Sequence, residues 1–248
     1  MNELLSVILT IITAATPLLL ASIGELVVER SGVLNLGVEG MMAVGAVCGF
    51  GAALMTGSPL IGVLAAIAAG ALLSLLFGFL TLTMVSNQVA TGLALTLLGL
   101  GLAGLIGESF VGQPGVRLEK IAIPGLTGIP FIGPIVFGQD PLVYASLLVV
   151  AATSYVLFRS KTGLIIRAVG DSHQSAHALG YSVIGVRYLC VMFGGACSGL
   201  AGGYLSLVYT PQWVENMMRG AAGLRSPWWF SPHGCRGVWR LAPISLAP

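Results

Sequence analysis

Six runs of about 20 apolar residues, separated by short polar or proline-rich segments, leave this chain few folds to choose from, because a helix of that length just crosses the hydrocarbon core of a bilayer. Spans are expected near Leu4–Ile23, Val33–Leu54, Leu60–Met84, Val89–Ile106, Leu142–Phe158 and Val186–Tyr209. Only 8% of the 248 residues are charged, far too few to cover a soluble globule. The expected fold is therefore all-α, a polytopic membrane protein with about six transmembrane helices and lipid around it. A net charge of +2, carried by basic residues that flank apolar runs, gives no footing for nucleic acid. The first run lacks a basic leader and reads as a span rather than a cleaved signal peptide.

One long polar interruption, Arg159 to Val186, sets the sidedness. It carries Arg159, Lys161 and Arg167, with Arg187 just beyond, and basic residues close to span ends mark the cytoplasmic face. Counting back places Ser86-Asn87-Gln88 and Glu29-Arg30-Ser31-Gly32 inside, and Gly57-Ser58-Pro59, the proline-rich segment Gly107–Asp140 and the N-terminus outside. Pro114, Pro124, Pro130 and Pro134 exclude a regular helix there and fit a lid-like cover over the spans. Within the cytoplasmic interruption, Asp171 is placed to cap a short helix beginning Ser172-His173-Gln174, and Gly180 to end it in the left-handed conformation. A multispanning protein has little use for such a helix unless something soluble binds it, so the segment is expected to dock a partner.

Helix packing is also legible. Gly194, Ser198 and Gly202 form a small-residue ridge in the last span, with Gly195, Gly199 and Gly203 beside it, and such ridges let helix backbones touch. Polarity at membrane depth marks two knots. The first, Gly24 to Gly40, holds Glu25, Glu29, Arg30, Asn35 and Glu39 among helix-breaking glycines. The second is Asn87-Gln88 with Thr91 entering the next span. Two roles are open for Asn35, Glu39, Asn87, Gln88 and Thr91: lining a translocation path, or capping and holding broken helix ends. Cys48, Cys190, Cys197 and Cys235 lack metal-ligand spacing and are expected to be reduced and structural. His173 and His177 stand four apart with no third ligand near, so no metal site is expected. Neither a nucleophile with a base partner nor a phosphate-cradling loop is visible, so the chain is not expected to be an enzyme or to bind a cofactor of its own.

The run GLIIRAVGDSHQSAHALGYSV resembles the cytoplasmic coupling loop of ABC importer permeases in the branched-chain amino acid and simple sugar group, with a pattern close to RAVGxNxxAAxxxGI. Arg167, Ala168, Val169, Gly170, Ala176, Leu179 and Gly180 fit; Asp171 stands where Glu is usual and Ser175 where a first Ala is usual. ERSGVLNLGVEGMMAVGA (Glu29–Ala46) and SNQVATGLALTLLG (Ser86–Gly99) are similar to the permeases that work with nucleoside-delivering lipoproteins of the basic membrane protein family. The resemblance runs from Met1 to about Gly220, the expected permease domain. It implies a permease subunit in the bacterial cytoplasmic membrane, paired with a second permease subunit and fed by an extracytoplasmic substrate-binding lipoprotein. Cytoplasmic ATP-binding subunits would hydrolyse ATP and grip the segment through Arg167, Gly170, Asp171, Gln174, Ala176, Leu179 and Gly180. The implied substrate is a nucleoside or simple sugar.

After Gly220 the residues turn rich in Trp, Pro and Arg with no helical period, so 221–248 reads as an atypical tail. The genetic code offers a reason: reading the third base of each codon with the next two forces Val at Trp228-Trp229 and again at Trp229-Phe230, and permits an apolar string that resembles the family's continuation after Glu215-Asn216-Met217. A frameshift near Ala221 is therefore expected, with a chain truncated relative to its family. Two further readings stay open: a transport-inactive product of that truncation, and a stand-alone secondary carrier needing no docked partner.

Overall fold

The computed structural model describes residues 2–116, 118 and 138–213. Most of the expected lid Gly107–Asp140, namely 117 and 119–137, and the tail 221–248, with Glu215-Asn216-Met217 and Cys235, lie outside the described residues. Among the described residues eight α-helices follow in order: α1 (Asn2–Arg30), α2 (Val38–Thr56), α3 (Pro59–Gly78), α4 (Gln88–Gly107), α5 (Pro141–Arg159), α6 (Lys161–Asp171), α7 (His173–Ala178) and α8 (Val183–Tyr204). Helices α3 and α8 each continue into a wider π-helical turn, Phe79–Thr83 and Leu205–Tyr209. Among the described residues there is no β-strand, only an isolated bridge between Val111 and Trp213. Six of these helical stretches are long and apolar enough to cross a membrane, as expected.

Two span boundaries differ from expectation for one reason. Helix α1 runs on through Glu25, Glu29 and Arg30 instead of ending near Ile23, and α2 begins at Val38 instead of Val33. The break is thus residues 31–37, and its conformation is set by Gly32 at φ +81°, a left-handed turn that glycine adopts at no steric cost. The last span begins three residues earlier than expected, at Val183, because the Ser182 hydroxyl caps it by accepting from Gly185 N–H.

Helix α8 is the centre of the bundle and packs on α1, α2 and α3, while α2 also holds α3 and α4. The glycine ridges make this possible, as expected. A Cβ at Gly199 would strike the Ala66 carbonyl and the Gly70 backbone on α3, one at Gly202 would strike the Met42 carbonyl on α2, and one at Gly194 would strike Val28 on α1. Gly99 of α4 meets Gly40 of α2 in the same way. Such close approach replaces the hydrophobic drive that lipid does not supply with dense dispersion contacts. In contrast, α4 packs substantially on α2 alone, with Leu93, Leu97 and Leu105 exposed on its far side.

Candidate functional site

The interruption Arg159–Val186 is more ordered than a loop with one helix. The Ser160 hydroxyl accepts from Gly163 N–H and starts α6, which ends at Asp171; Ser172, in extended backbone at φ −151°, then starts α7 by accepting from Ser175 N–H. The expected cap is therefore corrected by one residue: Asp171 closes α6 and Ser172 caps α7. Either side chain is a good N-cap, and the choice falls to the residue whose backbone leaves the helix. The other end is as expected. Gly180 takes φ +85°, Tyr181 N–H donates to the Ala176 carbonyl (3.2 Å) and Gly180 N–H to the His177 carbonyl (2.9 Å), a Schellman closure.

This capped hairpin of helices shows two faces. Asp171, Gln174, Leu179 and Gly180 are exposed, Leu179 at 75%. Ala176 is buried, and Gly170 packs so tightly on the end of α1 that a Cβ there would strike the Arg30 carbonyl. Arg167 is half-buried: its Nε–H donates to the Gly163 carbonyl at 3.4 Å and its guanidinium lies 5.9 Å from the Phe158 ring centre, so it braces α6 on the end of α5. Between α7 and the start of α8 lies an open groove of about 470 Å³, lined by His173, Gln174 and His177 on one side and Val183, Ile184 and Arg187 on the other. Among the described residues no group of three or more His, Cys, Asp or Glu is placed to hold a metal ion, and Cys48, Cys190 and Cys197 are free thiols.

The break at 31–37 sits directly against this hairpin. Ser31, Val33, Asn35 and Gly37 are buried, so the unwound backbone must find partners inside the protein. It finds them on three helices. Leu34 N–H donates to Gln88 Oε1 (2.9 Å) at the start of α4, Asn35 N–H to Glu25 Oε1 (3.2 Å) on α1, and Gly37 N–H to Asn35 Oδ1 (2.9 Å). On the acceptor side, Thr96 Oγ1 donates to the Leu36 carbonyl (2.9 Å) and Arg187 Nε to the Ser31 carbonyl (3.1 Å). The candidates named from sequence therefore separate. Asn35 and Gln88 meet at the break; Asn87, exposed, caps α4 by accepting from Val89 and Ala90 N–H; Glu39 and Thr91 stand half-buried in the first turns of α2 and α4. Glu25, Thr96 and Arg187 also serve the break, a role the sequence does not announce. Glu25 carries a signal as an acid between apolar runs and Arg187 as a basic flank, whereas Thr96 looks like any span threonine.

Residues 7–223 match the family model described as the branched-chain amino acid transport system permease component. Named relatives agree with that match. A Haloferax volcanii protein provisionally named a glucose ABC transporter permease is 41% identical over 213 residues, 84% of this chain and 65% of its own length. The guanosine ABC transporter permease of Bacillus subtilis is 36% identical, over 88% of this chain and 72% of its own. The nucleoside ABC transporter permease of Lactococcus lactis is 34% identical, over 81% and 67%. This chain thus spans just under two thirds of the Haloferax protein. No solved structure matches it.

Proposed function

We propose, from the premise that this chain belongs to the permease family of branched-chain amino acid transport systems, that it lines the membrane path of an ATP-binding cassette importer. Its cargo in this reading is a nucleoside or simple sugar, the classes named for its relatives. Partner ATP-binding subunits hydrolyse the nucleotide, a second permease subunit completes the path, and an extracytoplasmic binding lipoprotein delivers the cargo across a bacterial cytoplasmic membrane. One observation carries the reading: the α6–α7 hairpin, capped by Ser160 and Ser172 and closed at Gly180, presents Asp171, Gln174 and Leu179 to solvent while Gly170 and Ala176 seat it on the spans. A leucine 75% exposed beside an open groove is an anchor awaiting a soluble surface. Arg167 and Gly180 give the docking surface its shape. On the membrane side, Asn35, Asn87 and Gln88 act through the helix ends they hold, and Glu39 and Thr91 beside them face the path.

Leu179→Asp tests this. With the partner subunits present, the variant inserts in the membrane at the wild-type level, loses the ATP-binding subunit on isolation, and takes up labelled guanosine or glucose at least about tenfold more slowly, as for loss of an interface anchor. Uptake that proceeds without the ATP-binding subunit, in wild type and variant alike, would make the chain a stand-alone carrier instead.

A further inference from the structure

Arg187 is one side chain with two neighbours of different kind. It lies on the first turns of α8 and lines the groove opposite His173, Gln174 and His177 of the docking helix. Its Nε–H donates to the Ser31 carbonyl at 3.1 Å, where α1 gives way to the break. Its Nη2 is at the same junction: a Cβ on Gly32 would lie 3.3 Å from that atom and 3.2 Å from Gly170 Cα. Three separate pieces of chain, the break, the end of α6 and the start of α8, therefore meet at Gly32, Gly170 and Arg187.

A cation at the C-terminal end of α1 has a bland use, since it satisfies a carbonyl that the helix leaves free and complements the helix dipole. That use does not call for placement in the docking groove. The Arg187 guanidinium is a planar fork, so a shift of the groove walls turns the fork and moves whatever carbonyl it holds. The held carbonyl belongs to the α1–α2 break, whose residues Leu34, Asn35 and Gly37 are tied to α4, to α1 and to the break itself. A displacement delivered at Ser31 is thereby passed to the first turn of α2 and to α4.

We infer that Arg187 is the positioning residue that links the docking helix to the α1–α2 break, so that movement imposed on α7 by a bound subunit is transmitted to the spans through the Ser31 carbonyl. The inference rests on the importer reading above and adds a residue and a route to it. Beside this contact the end of α6 lies directly on the break, since a Cβ at Gly170 would strike the Arg30 carbonyl and one at Gly32 would press on Gly170 and Arg187.

The test uses the assembled complex with its ATP-binding subunit in lipid, and a reporter at the break, Leu34→Cys, which is 40% exposed in the native chain. Maleimide labelling of this cysteine is timed without nucleotide and after trapping with ATP and vanadate. With Arg187 present the two rates differ about tenfold, a typical coupling between sites; with Arg187→Ala the difference falls below about twofold. A purely structural role lowers the yield of complex but leaves the ratio of the two rates unchanged, and that result overturns the inference. Arg187→Lys keeps a cation for α1 without the planar fork and guards against a misfolded alanine variant; it is expected to insert normally with a ratio between the other two. Equal rates in the two states with Arg187 intact, or a wild-type ratio in the lysine variant, likewise overturn the inference. Failure of the wild-type chain to hold any ATP-binding subunit removes the importer reading and this inference together, whereas a nucleotide-dependent rate that ignores Arg187 removes the inference alone.

Discussion

Asn35 is 1% exposed, and its side chain takes the place of a missing helical turn: Oδ1 accepts from Gly37 N–H at 2.9 Å while Nδ2 points to Met41 Sδ at 3.6 Å. Replacing it with alanine strands a buried backbone N–H, which costs about 1–3 kcal/mol. Asn35→Ala is therefore expected to lower the thermal midpoint of the detergent-solubilised protein measurably; an unchanged midpoint would mean that Gly37 finds another acceptor and that Asn35 does not hold the break. Polarity in an apolar run is enough to single out Asn35 and Gln88. It is not enough to say what they do, because capping and path-lining call for the same residue types. At Asp171 and Ser172 the limit is finer still: two adjacent residues have the same capping chemistry, and only the backbone dihedrals decide between them.

At the scale of helices, the glycines fall into two populations that the sequence does not distinguish. Gly195, Gly199 and Gly203 of α8 lie against backbone or small side chains of α3, whereas Gly101 and Gly104 of α4 have nothing within 4 Å of a built Cβ. Gly199→Leu drives a side chain into the α3 backbone, a clash that costs at least about 1–3 kcal/mol of overpacking and leaves little folded protein after solubilisation. Gly101→Ala meets open space and removes a helix-weakening glycine worth about 0.5–1 kcal/mol, so its thermal midpoint stays level or rises. Melting the two variants side by side checks both; equal losses would contradict the central placement of α8. Spacing four in the sequence finds the α8 ridge correctly, because that ridge is buried along its whole length. On α4 the small residues at spacing four, Gly99, Ala103 and Gly107, are likewise buried, whereas Gly101 and Gly104, three apart, lie on a side with no partner among the described residues.

For the molecule as a whole, the α6–α7 hairpin, the α1–α2 break and the α3–α4 connection share one end of the bundle, as the Arg187 to Ser31 and Gln88 to Leu34 hydrogen bonds require. With basic residues marking that end as cytoplasmic, a membrane-impermeant thiol reagent should label Thr56→Cys in intact cells, and label Ser86→Cys and Gln174→Cys only after permeabilisation. Labelling of all three from one side would break the topology. The sequence by itself determined the number and order of the apolar spans found among the described residues, because bilayer thickness demands a run of apolar residues, and its flanking charges set the sidedness that the labelling tests. It also determined the short helix before Gly180 and its glycine stop, since caps depend on a few adjacent residues. Only the tertiary structure decided how the break is held and what it touches. Those bonds join residues 54, 60 and 156 positions apart, and a carbonyl or N–H of the unwound backbone takes whichever donor or acceptor the packed helices bring within about 3 Å, a pairing with no local signature in the chain.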